Sequence, residues 1–316
     1  MHINNYFYGC SAYADDIILL SPTRNGLQSM FDICVQYFQE HKITISTNVD
    51  LKKSKTKCIY FSHTKCNNEP AKIMLNGVPL PWVETWPHLG NELVKKDLAI
   101  KAGSNLDTDL KTKRRKFIGK FHALRQEFGF SSPQVFFKLI NIYGTSFYGS
   151  VLWDLGGTAA DSLFASWNSF VRMTWKLPNT THRYLIEEVS EFPHIKAILS
   201  QRYLGFMHSL INSKKKCLSE LARKMIFDQG SNSGQNINLI ALSAGYTRYN
   251  VMKMSPSCVA NAITYCPVPK ESKWKISFLK ELMSVRDGDL RVGEAEDDAS
   301  FTKEEIDQLI GIVATQ

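Results

Sequence analysis

The sequence predicts an α+β fold in which a strand-rich N-terminal part is followed by a mostly helical C-terminal part. Apolar and aromatic runs flank an acidic turn at Asp15 and Asp16, as expected for a short hairpin. An Asn76-Gly77 pair separates two further apolar runs, which is a strong signal for a second hairpin. Beyond about residue 100, apolar residues recur at the spacing of helices instead.

The first 90 residues supply the predicted strands and one helix. Tyr6–Tyr13 and Ile17–Leu20 are apolar or aromatic runs on either side of the acidic turn, and Leu27 to Phe38 have helical periodicity. We predict further strands at Ile43–Ser46 and Cys58–Phe61, with the basic stretch 52–57 between them. The Asn76-Gly77 hairpin completes this part.

The remainder of the chain has helical patterns. Ser132 and Pro133 are typical of a helix start, and a capping box links Thr302 with Glu305 before the last helix. Helical patterns also cover 133–153, 160–175 and 194–212, whereas the polar run 229–236 and the acidic run 286–299 are predicted as loops. We predict a core role, with base stacking as the less favoured alternative, for the recurring aromatic residues: Tyr143, Phe147, Tyr148, Trp153, Trp167, Phe170 and Trp175.

Composition restricts the possible functions. The chain has 38 Lys and Arg against 30 Asp and Glu, which gives a formal net charge of +8 and favours polyanionic partners, with an ordinary solvated basic surface as the alternative. Its seven scattered cysteines include no CxxC pair, so we expect a reduced, intracellular protein without structural zinc. The longest apolar run, Leu139–Trp153, is shorter than the roughly 20 residues of a membrane helix, so we expect a soluble protein.

The adjacent carboxylates of Asp15 and Asp16 are the clearest candidates for chemistry. Carboxylate oxygens are the ligands that Mg²⁺ prefers, and phosphoryl transfer needs such ions to neutralise and align the reacting groups. Because Asp is also common in turns, an ordinary polar hairpin turn is the alternative.

The order of motifs resembles the reverse transcriptase (RNA-directed DNA polymerase) of LINE-type, non-LTR retrotransposons. FYGCSAYADDIILLS is similar to the YxDD motif C, LKKSKTKCIYF to motif D, and LNGVPLPWVETWPHLGNEL to the hairpin that follows it. The similarity continues through KRRKFIGKFHALRQEFGF and NIYGTSFYGSVLWDL, so it covers most of the chain. It implies part of a polymerase palm at 1–90, a thumb-like helical domain at 91–175 and a C-terminal helical region at 176–316.

The resemblance implies roles for residues of the palm. Asp15 would be a catalytic ligand of Mg²⁺ (or Mn²⁺) with Asp16 as its close partner, and Tyr13 and Ala14 would lie beside the primer terminus. Lys55 or Lys57 would approach the phosphates of the incoming deoxynucleoside triphosphate (dNTP), by charge or by proton donation. The alternative for these lysines is a solvated flank of the strand.

Two further groups would bind the primer and template. His88 and Gly90 match the turn near the primer 3′ end, where glycine permits close approach or a positive φ; a packed or surface role is the alternative for His88. A basic helix would contact phosphates without sequence preference. An ordinary solvated face or a nuclear localisation signal are alternatives for its cationic residues, which are Lys111, Lys113, Arg114, Arg115, Lys116 and Lys120.

The implied partners are an RNA template, a DNA primer or target, and dNTPs, with the nucleus or cytoplasm as the location. A working enzyme of this family also needs the motif A aspartate and the fingers, which lie before the YxDD motif. We therefore expect little polymerase activity from these residues alone. A non-catalytic RNA-binding remnant and a pseudogene product are the alternatives.

Overall fold

The computed structural model describes residues 2–3, 5–46, 54–61, 70–94, 104–263, 269–287 and 302–315. The chain forms two compact units. The N-terminal unit consists of Met1–Asn105 and Ser213–Arg223, and the helical unit consists of Leu106–Asn212 and Lys224–Gln316. The mixed, mostly helical fold class is as predicted, whereas the palm, the thumb and the three-domain division stay predictions.

The described strands of the N-terminal unit form short antiparallel hairpins. The pairs are β1 (His2–Ile3) with β2 (Tyr6–Phe7), β3 (Cys10–Tyr13) with β4 (Asp16–Leu19), β5 (Met74–Leu75) with β6 (Val78–Pro79), and β7 (Thr85–His88) with β8 (Asn91–Val94). Each forms its own two-stranded sheet in the part of the chain that the structure describes. Helix α1 (Arg24–Glu40) begins at the N-cap Thr23, whose side chain accepts from the amide of Gly26.

The predicted strands of this unit need three corrections. The first predicted strand, Tyr6–Tyr13, is divided between β2 and β3. The buried Gly9 lies between these two strands, at a position where a Cβ atom would meet the side chains of Phe7 and Met30. Ile43–Ser46 forms no strand, because no partner strand lies beside it in the described residues. Cys58–Phe61 forms only a single parallel bridge, in which Cys58 exchanges backbone hydrogen bonds with Pro81 and Val83.

A small core joins the elements of the N-terminal unit. Phe31 of α1 is buried together with Ile73, Leu75 and Leu80 in and beside the β5–β6 hairpin. Leu19 and Cys58 are among the half-buried residues that pack on them. Polar bonds add to this packing, because the Gln28 side chain accepts from the Met74 amide at 2.8 Å and donates to the Met74 carbonyl at 2.9 Å. The β3–β4 hairpin, α1, the segment at Cys58 and the β5–β6 hairpin region therefore share one core.

The remaining helices of the described chain lie mostly in the helical unit. They are α2 (Ser104–Phe128), α3 (Pro133–Leu139), α4 (Thr158–Thr174), α5 (Arg183–Ser190), α6 (Ile195–Ile211), α7 (Lys216–Phe227), α8 (Asn232–Ala244), α9 (Arg248–Lys253), α10 (Pro256–Ala262), α11 (Lys273–Asp287) and α12 (Lys303–Thr315). A π-helical turn, Ile140–Gly144, continues α3, and 3₁₀ turns lie at Ser150–Leu152 and Lys270–Ser272.

Aromatic side chains fill the core of the helical unit. Phe121 of α2 stacks on Phe170 of α4 at 3.7 Å between ring centroids, and Trp167 contacts both Phe117 and Phe137. Trp153 is buried, and its indole nitrogen donates to the buried carboxylate of Asp109 at 2.8 Å. Phe147 and Trp175 are buried as predicted, but Tyr143 and Tyr148 are 59% and 64% exposed, so their predicted core role is wrong.

The helix ends and loops predicted in this unit are partly confirmed. Ser132 caps α3 as predicted, and Thr302 and Glu305 form the predicted capping box before α12. The predicted 229–236 loop is wrong beyond Ser231, because the Ser231 hydroxyl accepts from the Gly234 amide and starts α8. The predicted 286–299 loop falls on Arg286 and Asp287, which end α11, and otherwise lies outside the described residues.

No helix in the described ranges is long and apolar enough to cross a membrane.

Candidate functional site

The acidic hairpin tip is built from β3, β4 and the two residues between them. Tyr13 pairs with Asp16 at the end of the ladder, so Ala14 and Asp15 form the turn. Ala14 has φ +53°, a left-handed conformation that is uncommon for a residue with a Cβ. Both carboxylates are exposed, and Tyr13 is 70% exposed. The tip thus presents two adjacent carboxylates and a phenol ring on a strained turn.

The tip offers only part of a metal site. Two carboxylates can supply oxygen ligands for Mg²⁺, but a protein site for this ion usually also uses substrate phosphates and water. No group of three or more His, Cys, Asp or Glu side chains is placed to hold a metal within the residues that the structure describes. Asp15 and Asp16 therefore fit as two ligands of an ion that would take its others from elsewhere.

The lysines Lys55 and Lys57 lie on the segment that contacts Trp82 and the β7–β8 hairpin. Lys55 is exposed, whereas Lys57 is half-buried and holds its ammonium nitrogen 4.0 Å from the ring centroid of Trp86 in β7. Neither lysine forms an ion pair with Asp15 or Asp16, all of which are described. Burial raises the pKa of the neighbouring Cys58 thiol to about 11, so this cysteine has a packing role.

His88 and Gly90 lie at the turn of the β7–β8 hairpin. His88 pairs with Asn91, and the two residues between them, Leu89 and Gly90, have φ values of +46° and +76°. A positive φ at Gly90 agrees with the predicted reason for glycine at this position. Because Trp86 belongs to the same hairpin, the structure brings the segment of Lys57 and the segment of His88 together.

The basic helix α2 divides its cations between solvent and internal contacts. Lys111, Arg115, Lys116 and Lys120 are exposed, whereas Lys113 and Arg114 are half-buried. The Arg114 side chain donates to the Ser166 hydroxyl on α4 at 2.8 Å. Arg114 therefore joins α2 to α4, and the other cations form the accessible charge.

Two exposed tyrosines lie beside the lysines of α2, where the sequence did not predict exposed rings. The Lys120 ammonium donates to the Tyr143 carbonyl at 3.0 Å and to the Ser146 hydroxyl at 3.3 Å. Lys113 lies 5.9 Å from the ring centroid of Tyr148. A surface of lysines with exposed aromatic rings can hold phosphates and stack bases. We call Lys113, Lys116, Lys120, Tyr143 and Tyr148 the basic face.

A polar cleft in the helical unit was also missed. It has a volume of about 370 Å³, and Asp154, Asn238 and Arg248 are among the residues that line it. The amide-rich run 229–236, predicted as a loop, contributes Gln229, Gln235 and Asn236 to its wall. The density of amide side chains in that run was the available signal.

Comparisons with protein-family models, curated proteins and solved structures found no match for the chain.

Proposed function

We propose that this chain is part of an RNA-directed DNA polymerase of a LINE-type retrotransposon, which transfers nucleotides from dNTPs to a primer on an RNA template. The observation that supports it best is the Tyr13–Asp16 tip, where a two-residue turn with a positive φ at Ala14 presents adjacent, exposed carboxylates. The same β4 strand contributes Leu19 to a core shared with α1 and with the motif D segment at Cys58.

In this function Asp15 and Asp16 would hold Mg²⁺, which neutralises phosphate charge and aligns the attacking hydroxyl. Two carboxylates alone would bind the ion weakly, since charge and ligand number set the affinity. We therefore expect the chain by itself to bind Mg²⁺ with a dissociation constant in the millimolar range or above, and to extend primers poorly. Lys55 and Lys57 would add positive charge near the dNTP phosphates.

Paramagnetic broadening by Mn²⁺ tests the metal site directly. NMR signals of residues at the β3–β4 turn should broaden at low Mn²⁺ and recover when Mg²⁺ is added in excess. Asp15→Asn and Asp16→Asn should each weaken the broadening at the turn, whereas the exposed control Glu84→Gln should leave it unchanged. Broadening that ignores both aspartate variants would contradict the proposed site.

A second candidate function is RNA binding without catalysis, favoured by the exposed tyrosines beside the lysines of α2. Neutralising phosphates releases counterions, so the affinity should fall steeply with salt. Lys116→Ala or Lys120→Ala should weaken binding of single-stranded RNA several-fold and reduce the salt slope by about one for each lost contact. Asp15→Asn should not weaken it.

The two candidates are distinguished by combining the assays. A polymerase fragment should lose Mn²⁺ binding on substitution of Asp15 and lose primer–template binding on substitution of the basic face. A binding remnant should show only the second effect. We expect an intracellular location, in the nucleus or cytoplasm, under either function.

A further inference from the structure

The polar cleft of the helical unit combines opposite charges with amide groups. Asp154 lies between the 3₁₀ turn Ser150–Leu152 and α4, Asn238 lies on α8, and Arg248 opens α9. Leu239 and Leu242 add an apolar wall. The volume of about 370 Å³ lies within the range of small-ligand sites in proteins.

The segment that carries Asp154 is held in place from both sides. The buried Asn236 side chain donates to the Trp153 carbonyl at 2.7 Å and accepts from the Leu155 amide at 2.9 Å. One carboxylate oxygen of Asp154 accepts from the Gly156 amide at 3.0 Å. A carboxylate has acceptor capacity for further bonds, so Asp154 presents a fixed acceptor to the cleft.

Arg248 is oriented in a similar way. Its Nε donates to the Asn238 side-chain oxygen at 3.0 Å, which uses one of the five donors of the guanidinium. Arg248 and Asp154 form no ion pair with each other, although both are described and both line the cleft. Two opposite charges in one cleft, without mutual neutralisation, suit a ligand that carries donors on one edge and acceptors on another.

Among the nucleobases, guanine has this pattern. Its N1–H and N2–H groups are adjacent donors that a carboxylate can accept together, and its O6 and N7 atoms are acceptors that arginine recognises in a bidentate manner. Adenine lacks the paired donors, and a pyrimidine lacks the O6–N7 edge. The leucine wall can cover the flat face of the ring.

We propose that this cleft binds a guanine base through Asp154 and Arg248, and that the base belongs to single-stranded RNA. The residue after Arg248 on α9 is Tyr249, which is 60% exposed and has the Lys253 ammonium 4.1 Å from its ring centroid. An exposed ring with a cation above it can stack a neighbouring base and contact its phosphate. The proposal does not depend on polymerase activity.

Fluorescence anisotropy with the full chain and short RNA probes tests the base preference. An oligouridylate with one central guanosine should bind about tenfold or more tightly than the same probe with adenosine, as expected for a good bidentate contact. Inosine, which lacks the N2 amino group, should bind with intermediate affinity. Guanosine monophosphate that competes as well as the oligonucleotide would assign the guanine site to a free nucleotide instead of RNA.

Variants connect the preference to the cleft. Asp154→Asn should abolish the difference between guanosine and inosine, and Arg248→Gln should reduce the preference for guanosine over adenosine. Arg183→Gln, at an exposed position on α5, is the matched control and should leave both preferences unchanged. Equal binding of all four bases by the wild type, or a guanosine–inosine difference that persists in Asp154→Asn, would overturn the proposal. Near-ultraviolet circular dichroism identifies any variant that has lost its packing.

The guanine cleft and the basic face give separable results. Lys116→Ala should lower affinity for every probe by the same factor and keep the base preference, because phosphate contacts carry no sequence information. Loss of the preference in Lys116→Ala would place the recognition on α2 and contradict the assignment to the cleft.

Discussion

The N-terminal unit and the helical unit hold their elements together in different ways. In the described residues of the N-terminal unit each strand pairs with its hairpin partner, and the core around Phe31 is small, while Tyr13, Ile17 and Ile33 are 70%, 42% and 67% exposed. In the helical unit, aromatic rings from α2, α3 and α4 interlock and are almost fully buried. The candidate metal tip thus lies on the more lightly packed unit, and the polar cleft on the more densely packed one.

The acidic tip and the polar cleft are held in position by different interactions. Isolated hairpins are marginally stable, so the acidic tip depends on the shared core of Leu19, Phe31 and Cys58 for its position. By contrast, the cleft of the helical unit is fixed by buried hydrogen bonds, such as those of Asn236.

The largest expected effect concerns the aromatic core. Phe121→Ala should destabilise the helical unit by about 3–5 kcal/mol, since it removes a buried ring stacked on Phe170 and leaves a cavity. Tyr13→Ala should change the free energy of unfolding by less than about 0.5 kcal/mol, because the ring is exposed. Urea unfolding with residue-resolved hydrogen exchange measures both, and comparable losses in the two variants would remove the contrast between the units.

The buried hydrogen bond between Asp109 and Trp153 gives the next effect. Asp109→Ala should cost about 2 kcal/mol, because the indole N–H would be left in the core without its acceptor. Asp109→Asn keeps an oxygen at this position and should cost less than Asp109→Ala. Urea denaturation of the two variants, monitored by tryptophan fluorescence, checks this order. A larger loss of unfolding free energy in Asp109→Asn than in Asp109→Ala would contradict it.

The pH dependence of the helical unit should be controlled in part by His194. Burial, together with the nearby charge of Lys196, lowers the pKa of His194 to about 3, and the neutral Nδ1 accepts from the Lys196 amide at 3.1 Å. The unfolded chain protonates this histidine near pH 6.5, so it binds more protons than the folded chain between about pH 6.5 and pH 3. Stability from this group is therefore complete above pH 6.5 and decreases on acidification, by up to about 1.4 kcal/mol per pH unit.

His194→Asn provides the test of this pH dependence. Asparagine is a good N-cap residue and does not titrate, so α6 keeps its cap while the proton uptake is lost. The slope of the unfolding free energy against pH between 4 and 6 should be smaller than in the wild type. His122→Asn, at an exposed position of α2, should leave the slope unchanged. An unchanged slope in His194→Asn would show that other groups control the acid response.

The sequence predicted those parts of the fold that depend on neighbouring residues. The Asn76-Gly77 turn has positive φ values of 48° and 82°, and the caps at Ser132 and Thr302 form as expected, because each depends on residues a few positions apart. The acidic tip was predicted for the same reason. Exposure of Tyr143 and Tyr148 was not, because the helical pattern of 133–153 gives way to a π-helical turn and irregular backbone after α3.

The contacts that join distant segments were beyond the sequence pattern. The approach of Lys57 to Trp86, and the lining of one cleft by Asp154 and Arg248, depend on how separate elements pack. Neither residue type nor periodicity encodes such pairs. The β5–β6 hairpin likewise contacts α1 through Gln28, a polar residue on an amphipathic helix.

The smallest predicted effect concerns this polar contact in the N-terminal unit. Gln28→Ala removes two hydrogen bonds to the backbone of Met74 and should cost about 1 kcal/mol, since each bond is partly exposed and contributes little. Gln36→Ala is the matched control, because among the described residues the Gln36 side chain bonds within α1, to Glu40. Hydrogen exchange at the Met74 amide should accelerate in Gln28→Ala and not in Gln36→Ala. Because the unit has a small core, faster exchange should extend across the β5–β6 hairpin while the amides of α4 in the helical unit keep their protection; acceleration in both places would mean that the two units unfold together.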